Sequence, residues 1–197
     1  MILMLCEDLL GVRSYTHGVE PATEIPEDRL AGMQDAVRRL SEGEPIQYVV
    51  GETEFYGRRY NVTPAVLIPR PETEQLVKEV VCHCLERGRG VRVLDLCTGS
   101  GCIAWSVVHE VPGAEVVAVD ISEDALQVAR GQFPEQPSPE FVKDDVLAGG
   151  RGFGRGLFDV IVSNPPYVME SEKAQMRKNV LDYEPSIALF VPDDDPL

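Results

Sequence analysis

An α/β fold with a doubly wound, mostly parallel sheet is the architecture this sequence predicts, and three observations predict it. From residue 91 onward, short apolar runs alternate with helix-like stretches. A glycine turn, Gly99-Ser100-Gly101, joins the first of these runs to the first helical stretch. The last run, Leu157–Val162, ends in Ser163-Asn164-Pro165-Pro166-Tyr167. Two consecutive prolines lack the N–H groups a ladder needs, so a strand must stop there.

Length and composition set the frame. A chain of 197 residues is one domain plus an appendage. Its 44% hydrophobic content suits a globular core. No run approaches the ~20 apolar residues of a membrane span. Met1–Cys6 is apolar but short, lacks a basic flank and meets Glu7 and Asp8 at once, so it does not read as a signal peptide. The five cysteines are odd in number and show no metal-ligand spacing, so reduced thiols in a cytoplasmic protein are expected, with no metal. A net charge of −15 argues against broad binding of a phosphate backbone, although a local basic patch is compatible with it.

The elements follow in order. Residues 2–10 read as a short helix ending at Gly11, followed by a polar loop. Pro26, Glu27 and Asp28 suit a helix start, with Leu30, Met33, Val37 and Leu40 at helical spacing and Gly43 at the end. Residues 1–44 are thus expected to form a small helical substrate-docking unit. Residues 45–63 read as a hairpin linker, with two β-prone runs about Gly57. Residues 64–197 hold the main domain. Pro71 opens its first helix, with Glu72 and Glu74 in the first turn and Leu76, Val77, Val80, Val81 and Leu85 as the buried face. Then come a strand at Val91–Leu96, a helix at Gly101–Val111 and a strand at Ala114–Val119. A helix capped by Ser122 runs to about Phe133, a short strand spans Glu140–Val142, and Leu157–Val162 is the fourth strand. A last helix is expected within Glu172–Val180. Gly149–Gly156 reads as a glycine-rich loop.

The strand ends carry the chemistry. In open α/β sheets, ligands bind beyond the carboxyl ends of the strands. Asn164 and Pro165 sit at such an end. A side-chain oxygen beside a free carbonyl makes two acceptors, enough for both hydrogens of an –NH2 group, and Tyr167 adds a flat face. A plain strand-ending turn is the alternative. Gly99-x-Gly101-x-x-Ala104 lets backbone approach a ligand, and Asp120 ends the next strand, where an acid bonds ribose hydroxyls. This combination points to a nucleotide-type ligand, against a purely structural turn. A pyrophosphate would be repelled by Asp95, just before the loop. A cation, such as the amino group of S-adenosylmethionine, would be attracted. Asp145 could accept from an adenine amino group, although Asp144 and Asp145 also suit a solvated turn. The candidate cofactor set is Asp95, Cys97, Thr98, Gly99, Ser100, Gly101, Asp120, Ile121, Asp145, Val146 and Asn164. No lysine follows the loop as in an NTPase. His17, His83 and His109 have no motif around them and read as structural or solvated.

Asp95-Leu96-Cys97-Thr98-Gly99-Ser100-Gly101 with Asn164-Pro165-Pro166-Tyr167 resembles the S-adenosylmethionine methyltransferases that modify an –NH2 nitrogen, of Rossmann-like class I fold. The second motif is shared by DNA adenine-N6 and protein glutamine-N5 enzymes. Gly43-Glu44-Pro45-Ile46-Gln47-Tyr48, Glu54-Phe55-Tyr56-Gly57 and Leu67-Ile68-Pro69-Arg70-Pro71-Glu72-Thr73-Glu74 resemble the release-factor glutamine methyltransferases. The resemblance implies methyl transfer to the glutamine of the Gly-Gly-Gln loop of peptide chain release factors, with S-adenosylhomocysteine as product. Asn164, Pro165 and Tyr167 would hold the amide. Pro166, Arg70 and Glu72 would complete the substrate site. It also implies about three further strands beyond Leu197 and further helices before residue 1. The Leu157–Val162 strand is then expected to be an uncovered, self-associating edge. A DNA adenine-N6 methyltransferase, or a cofactor-binding fragment without activity, are the rival readings; the charge and the residue 43–74 motifs oppose the first.

Overall fold

The computed structural model describes residues 7, 16–20, 22, 24, 26–134, 137–149 and 157–194. The helix expected over residues 2–10 and most of the Gly149–Gly156 loop lie outside the described residues. After a helical turn at Thr16–Val19, α1 spans Glu27–Ser41 behind Pro26, with Glu27 and Asp28 at its positive end and Arg38 and Arg39 at the other. Its buried residues are Met33 and Ala36, with Leu40 partly buried beside them; Leu30 and Val37 are exposed among the described residues. The difference from the expected face has a simple cause. The partner, α2 (Ile46–Val50), is one turn long and covers only a narrow stripe through Ile46, Val49 and Val50. This α2 lies in the stretch read as linker. Pro45 starts it, and Gly51 ends it at φ 87°, a left-handed conformation that glycine adopts without strain.

Strands β1 (Glu52–Phe55) and β2 (Arg58–Asn61) form the expected antiparallel hairpin. Its turn residues Tyr56 and Gly57 both have positive φ, as tight two-residue hairpin turns require. The Tyr56 N–H donates to Glu74 at 2.9 Å, which anchors the turn to the next helix. The hairpin is more than a connector. Phe55 and Tyr60 are buried in the main core, edge to face at 5.9 Å. Buried Gln132 locks its far end: its Oε1 accepts from the Asn61 N–H, and its Nε2 donates to the carbonyls of Asn61 and Ser100.

Helix α3 (Pro71–Arg87) buries Thr73, Val77, Val80, Val81 and Cys84. Leu85, expected on that face, is exposed, because a helical stripe through Val77 and Val81 continues to Cys84. The sheet has order β5–β4–β3–β6, all parallel, from β3 (Arg92–Leu96), β4 (Glu115–Asp120), β5 (Glu140–Lys143) and β6 (Val160–Ser163). Its neighbours in sequence are α4 (Cys102–Glu110) and α5 (Glu123–Arg130), the latter capped by the Ser122 hydroxyl. Val93, Val116, Ala118 and Val162 join the core shared with α3 and α4; Leu94, Val117 and Val119 form a second cluster with Val142 and Phe158. Alternation along each strand gives each face its own cluster. Among the described residues β6 pairs only with β3, and Ile161 is exposed. It begins three residues later than expected: Leu157 is exposed, and Asp159 is drawn out to the Arg92 N–H and to Arg87.

Beyond the two prolines, β7 (Val168–Met169) pairs in parallel with β8 (Phe190–Val191), a ladder not read from the sequence. Between them lie a 3₁₀ stretch, Glu170–Gln175, and α6 (Lys178–Tyr183), which fall around the expected last helix. The Tyr183 hydroxyl donates to the Glu42 carbonyl, tying this segment back to the end of α1.

Replacing Gln132 by Leu keeps the volume but strands the buried Ser100 carbonyl and unties the part-buried N–H and carbonyl of Asn61. Urea unfolding should show a loss of at least about 2 kcal/mol. A loss below about 0.5 kcal/mol would mean that the hairpin is not anchored through this side chain.

Candidate functional site

The parallel register sets the site. Leu96 pairs with Val119 on one side and Ser163 on the other, so β3, β4 and β6 end side by side. The chain leaving β3 turns through Cys97 (φ 58°) into the glycine loop. The Thr98 N–H donates to the Val119 carbonyl at 3.0 Å, holding the loop across the end of β4. Gly101 has φ 78°, and a Cβ there would come within 3.1 Å of Ala129 and of Trp105, whose indole N–H donates to the Ala129 carbonyl. Only glycine lets α4 start so close to α5.

Asp120 meets the loop from β4. Its Oδ2 accepts from the Gly99 N–H at 2.8 Å and its Oδ1 from the Ser122 N–H at 2.9 Å. A carboxylate has about four acceptor positions. Two remain for the paired hydroxyls of a ribose. Asp120 therefore shapes the loop as well as offering acceptors to a ligand.

A cavity of about 310 Å3 opens above these strand ends. Cys97, Thr98, Gly99, Ser100, Asp120, Ile121, Asp145, Val146 and Asn164 all line it, so the structure brings together nearly all of the expected cofactor set. Ile121 and Val146 supply apolar surface to its wall, which Asp144 and Asp145 also line. Asp145 spends one oxygen on the Leu147 N–H. Burial raises the Cys97 thiol and pushes Cys102 up to about 12, so neither is a thiolate near neutrality.

Two expected residues stand elsewhere. Gly101 is buried beneath the loop, against Ala129 and Trp105. Asp95 is fully buried and is not on the cavity wall, so a direct contact with an amino group is not the role its position gives it. In β3 it shares the face of Val93, which turns it under α4 instead of outward. The Thr98 hydroxyl donates to its Oδ2 at 2.6 Å, and Oδ1 has no partner among the described residues. Burial pushes its carboxyl up to about 7; the Thr98 hydroxyl and the nearby Ala104 N–H oppose the shift, and the charge of Asp120 adds to it.

A second, outer pocket of about 440 Å3 adjoins the cavity. Pro165, Tyr167, Glu72 and Met176 line the outer pocket alone, and Pro166 faces the inner cavity. Leu67, Arg70, Thr73, Asn164 and Ala188 line both and form the partition. The Asn164 Nδ2 donates to the Thr73 hydroxyl at a long 3.4 Å, and Asn164 lines both pockets. Tyr167 is 69% exposed, so its ring is open to a partner. His109 stacks on Trp105 and meets Phe133 in the core, and His83 is exposed beside Arg87; the His17 side chain lies outside the described residues. Thr73 and Glu184 carry structural roles here that sequence reading did not assign. Thr73 stood inside a motif; Glu184 had no signal around it.

The lining of the inner cavity is compatible with S-adenosylmethionine: carboxylate acceptors on Asp120 and apolar surface at Ile121 and Val146. Comparison with known proteins agrees. Residues 76–182 match the Methyltransferase small domain family and residues 2–51 the PrmC N-terminal domain. The catalytic domain of hMettl16, solved with the MAT2A 3'UTR hairpin 6, superposes with a TM-score of 0.51 at 13% identity, over 85% of this chain and 58% of that one, which shows the fold. Fold and site together define an S-adenosylmethionine-dependent methyltransferase. The release factor glutamine methyltransferase of Bacteroides thetaiotaomicron is 44% identical over 196 residues, 99% of this chain and 69% of that protein. The one from Koribacter versatilis is 46% identical over 171 residues, 86% of this chain and 60% of that protein. The chain belongs to the release factor glutamine methyltransferase family, and it spans about two-thirds of these relatives' length.

Two outcomes follow from this geometry. Asp120→Ala should weaken S-adenosylhomocysteine binding at least about tenfold, since charge-assisted bonds of about 1.5–3 kcal/mol are lost; unchanged affinity by calorimetry in a folded variant would refute the ribose role. Asp95→Asn should change how stability depends on pH. The folded carboxyl titrates near 7 and an unfolded one near 3.8. Its stability contribution is therefore intact below the unfolded value and is lost as pH rises through about 7. Urea unfolding of both proteins should show the variant gaining on the native chain between these limits and holding level above. A pH-independent difference would contradict the raised value.

Proposed function

We propose that the protein transfers a methyl group from S-adenosylmethionine to the side-chain amide nitrogen of the glutamine in the Gly-Gly-Gln motif of peptide chain release factors. The observation that carries this reading is Asn164 on the partition between the two pockets, with its Nδ2 engaged by Thr73, which leaves its Oδ1 to serve as an acceptor. The names of the 36–46% identical relatives support the substrate class.

An amide nitrogen is a weak nucleophile, because its lone pair is shared with the carbonyl. Bound in the inner cavity, S-adenosylmethionine supplies a methyl made electrophilic by a sulfonium. The work left to this chain is positioning. Asn164 Oδ1 and the Pro165 carbonyl accept the two amide hydrogens, which fixes the nitrogen and raises its electron density. Tyr167 packs on the amide plane, and Glu72 and Pro166 border the site. No strong base has to act first, since the nitrogen becomes acidic once methylated.

The α1–α2 unit serves as the docking piece for the release factor. It is tied to the pockets by the Tyr48 hydroxyl, which donates to the Val66 carbonyl at 2.6 Å, and by Tyr183 on Glu42. No helix among the described residues is long and apolar enough to cross a membrane, and the four described cysteines are free.

Tritiated methyl transfer to a purified release factor, with duplex DNA as the comparison, tests the proposal. Asn164→Ala should lower transfer to the release factor by more than about tenfold, or about 1.4 kcal/mol, a larger loss than any it causes in cofactor affinity. Labelling of the DNA, or transfer retained within that factor, would rule the reading out.

A further inference from the structure

The inner cavity is unequally charged. Asp120, Asp144 and Asp145 lie on its wall, and Arg70 is the single cationic side chain among the described residues that line it. Arg70 is held from behind. Its Nη2 donates to Glu184 Oε1 at 2.6 Å, and Glu184 is a buried carboxylate with a side chain only 1% exposed. The other oxygen, Oε2, accepts from the Ile68 N–H at 3.4 Å. One carboxylate thus grips both ends of Ile68-Pro69-Arg70. A guanidinium has five N–H donors in a rigid fork. Glu184 uses one of them, and Arg70 remains 37% exposed at the partition.

The pair is neutral as a whole, so it acts through directed donors more than through net charge. Donors in a fixed fork match a carboxylate, which takes two parallel N–H bonds. S-adenosylmethionine carries one carboxylate, on its amino-acid end. The three acids on the wall suit its cationic groups and hydroxyls and would repel that carboxylate.

We propose that Arg70, locked in place by buried Glu184, binds the α-carboxylate of S-adenosylmethionine and selects ligands that carry one. Glu184 is the positioning residue. The assignment rests on the cofactor reading above. It moves Arg70 from the substrate side, where the family resemblance put it, to the cofactor side of the partition.

Calorimetric titration with S-adenosylmethionine and with decarboxylated S-adenosylmethionine tests this, because the two differ only in the carboxylate. Arg70→Met should weaken S-adenosylmethionine at least about tenfold and leave the decarboxylated ligand within about twofold. Arg70→Lys, which keeps the charge but not the fork, should fall between. Arg70→Met alone strands a buried carboxylate, so the double variant Arg70→Met/Glu184→Gln removes both charges and should repeat the selective loss. Equal losses for both ligands would overturn the assignment. So would unchanged affinity for both with a raised KM for the release factor, which would return Arg70 to the substrate side. Binding of neither ligand to the unaltered chain would overturn the cofactor reading and this assignment with it.

Discussion

The parallel pairing of β3 with both β4 and β6 is the constraint on which the rest of the site depends. Leu96 is level with Val119 and with Ser163, so three chain exits open at one edge of the sheet. One exit becomes the glycine loop, one carries Asp120, and one carries Asn164. Two hydrogen bonds then weld the first two exits together: Thr98 N–H to Val119, and Gly99 N–H to Asp120. The third is stiffened by Pro165 and Pro166, which end the ladder and leave Asn164 at the boundary of the two pockets. The inner cavity and the Asn164 partition thus arise from the same register.

Two buried carboxylates near this edge take opposite routes. Glu184 is buried with a cation, and the pair fixes the loop from Ile68 to Arg70. Asp95 is buried with no cation beside it, only the Thr98 hydroxyl and the Ala104 N–H, and its carboxyl shifts up toward neutrality. Desolvation costs both groups; what differs is the partner across the gap. Asp95 supports the loop from below through Thr98, a role in shape. Glu184 acts at the partition, where cofactor and substrate would meet. The buried amide of Gln132 does comparable work on the far side, joining the hairpin to the Ser100 carbonyl.

Much of this was legible in the chain itself. Buried parallel strands read as short apolar runs, and the loop could be placed because its glycines sit between a strand and a helix. The acid at the end of β4 followed from spacing. What failed depended on distant contacts. Helix α2 has the β-branched pair Val49-Val50, and is made helical by Pro45, Gly51 and its packing on α1. The β7–β8 ladder joins Val168 to Phe190 with only two residues each, too short a pattern to show. Arg70 and Glu184 lie 114 residues apart, and neither predicts the other. The placement of Asp95 was readable after all. Alternation along β3 puts it on the face of Val93, toward the helices, and only its nearness to the loop suggested a ligand contact.

The most direct test is a crystal structure of the protein with S-adenosylhomocysteine and a Gly-Gly-Gln peptide. The account predicts the ribose on Asp120, adenine between Ile121 and Val146, and the sulfur facing the glutamine amide held by Asn164 and the Pro165 carbonyl. A nucleoside bound away from the β3–β4 edge, or a sulfur turned from Asn164 with the glutamine outside the outer pocket, would contradict it.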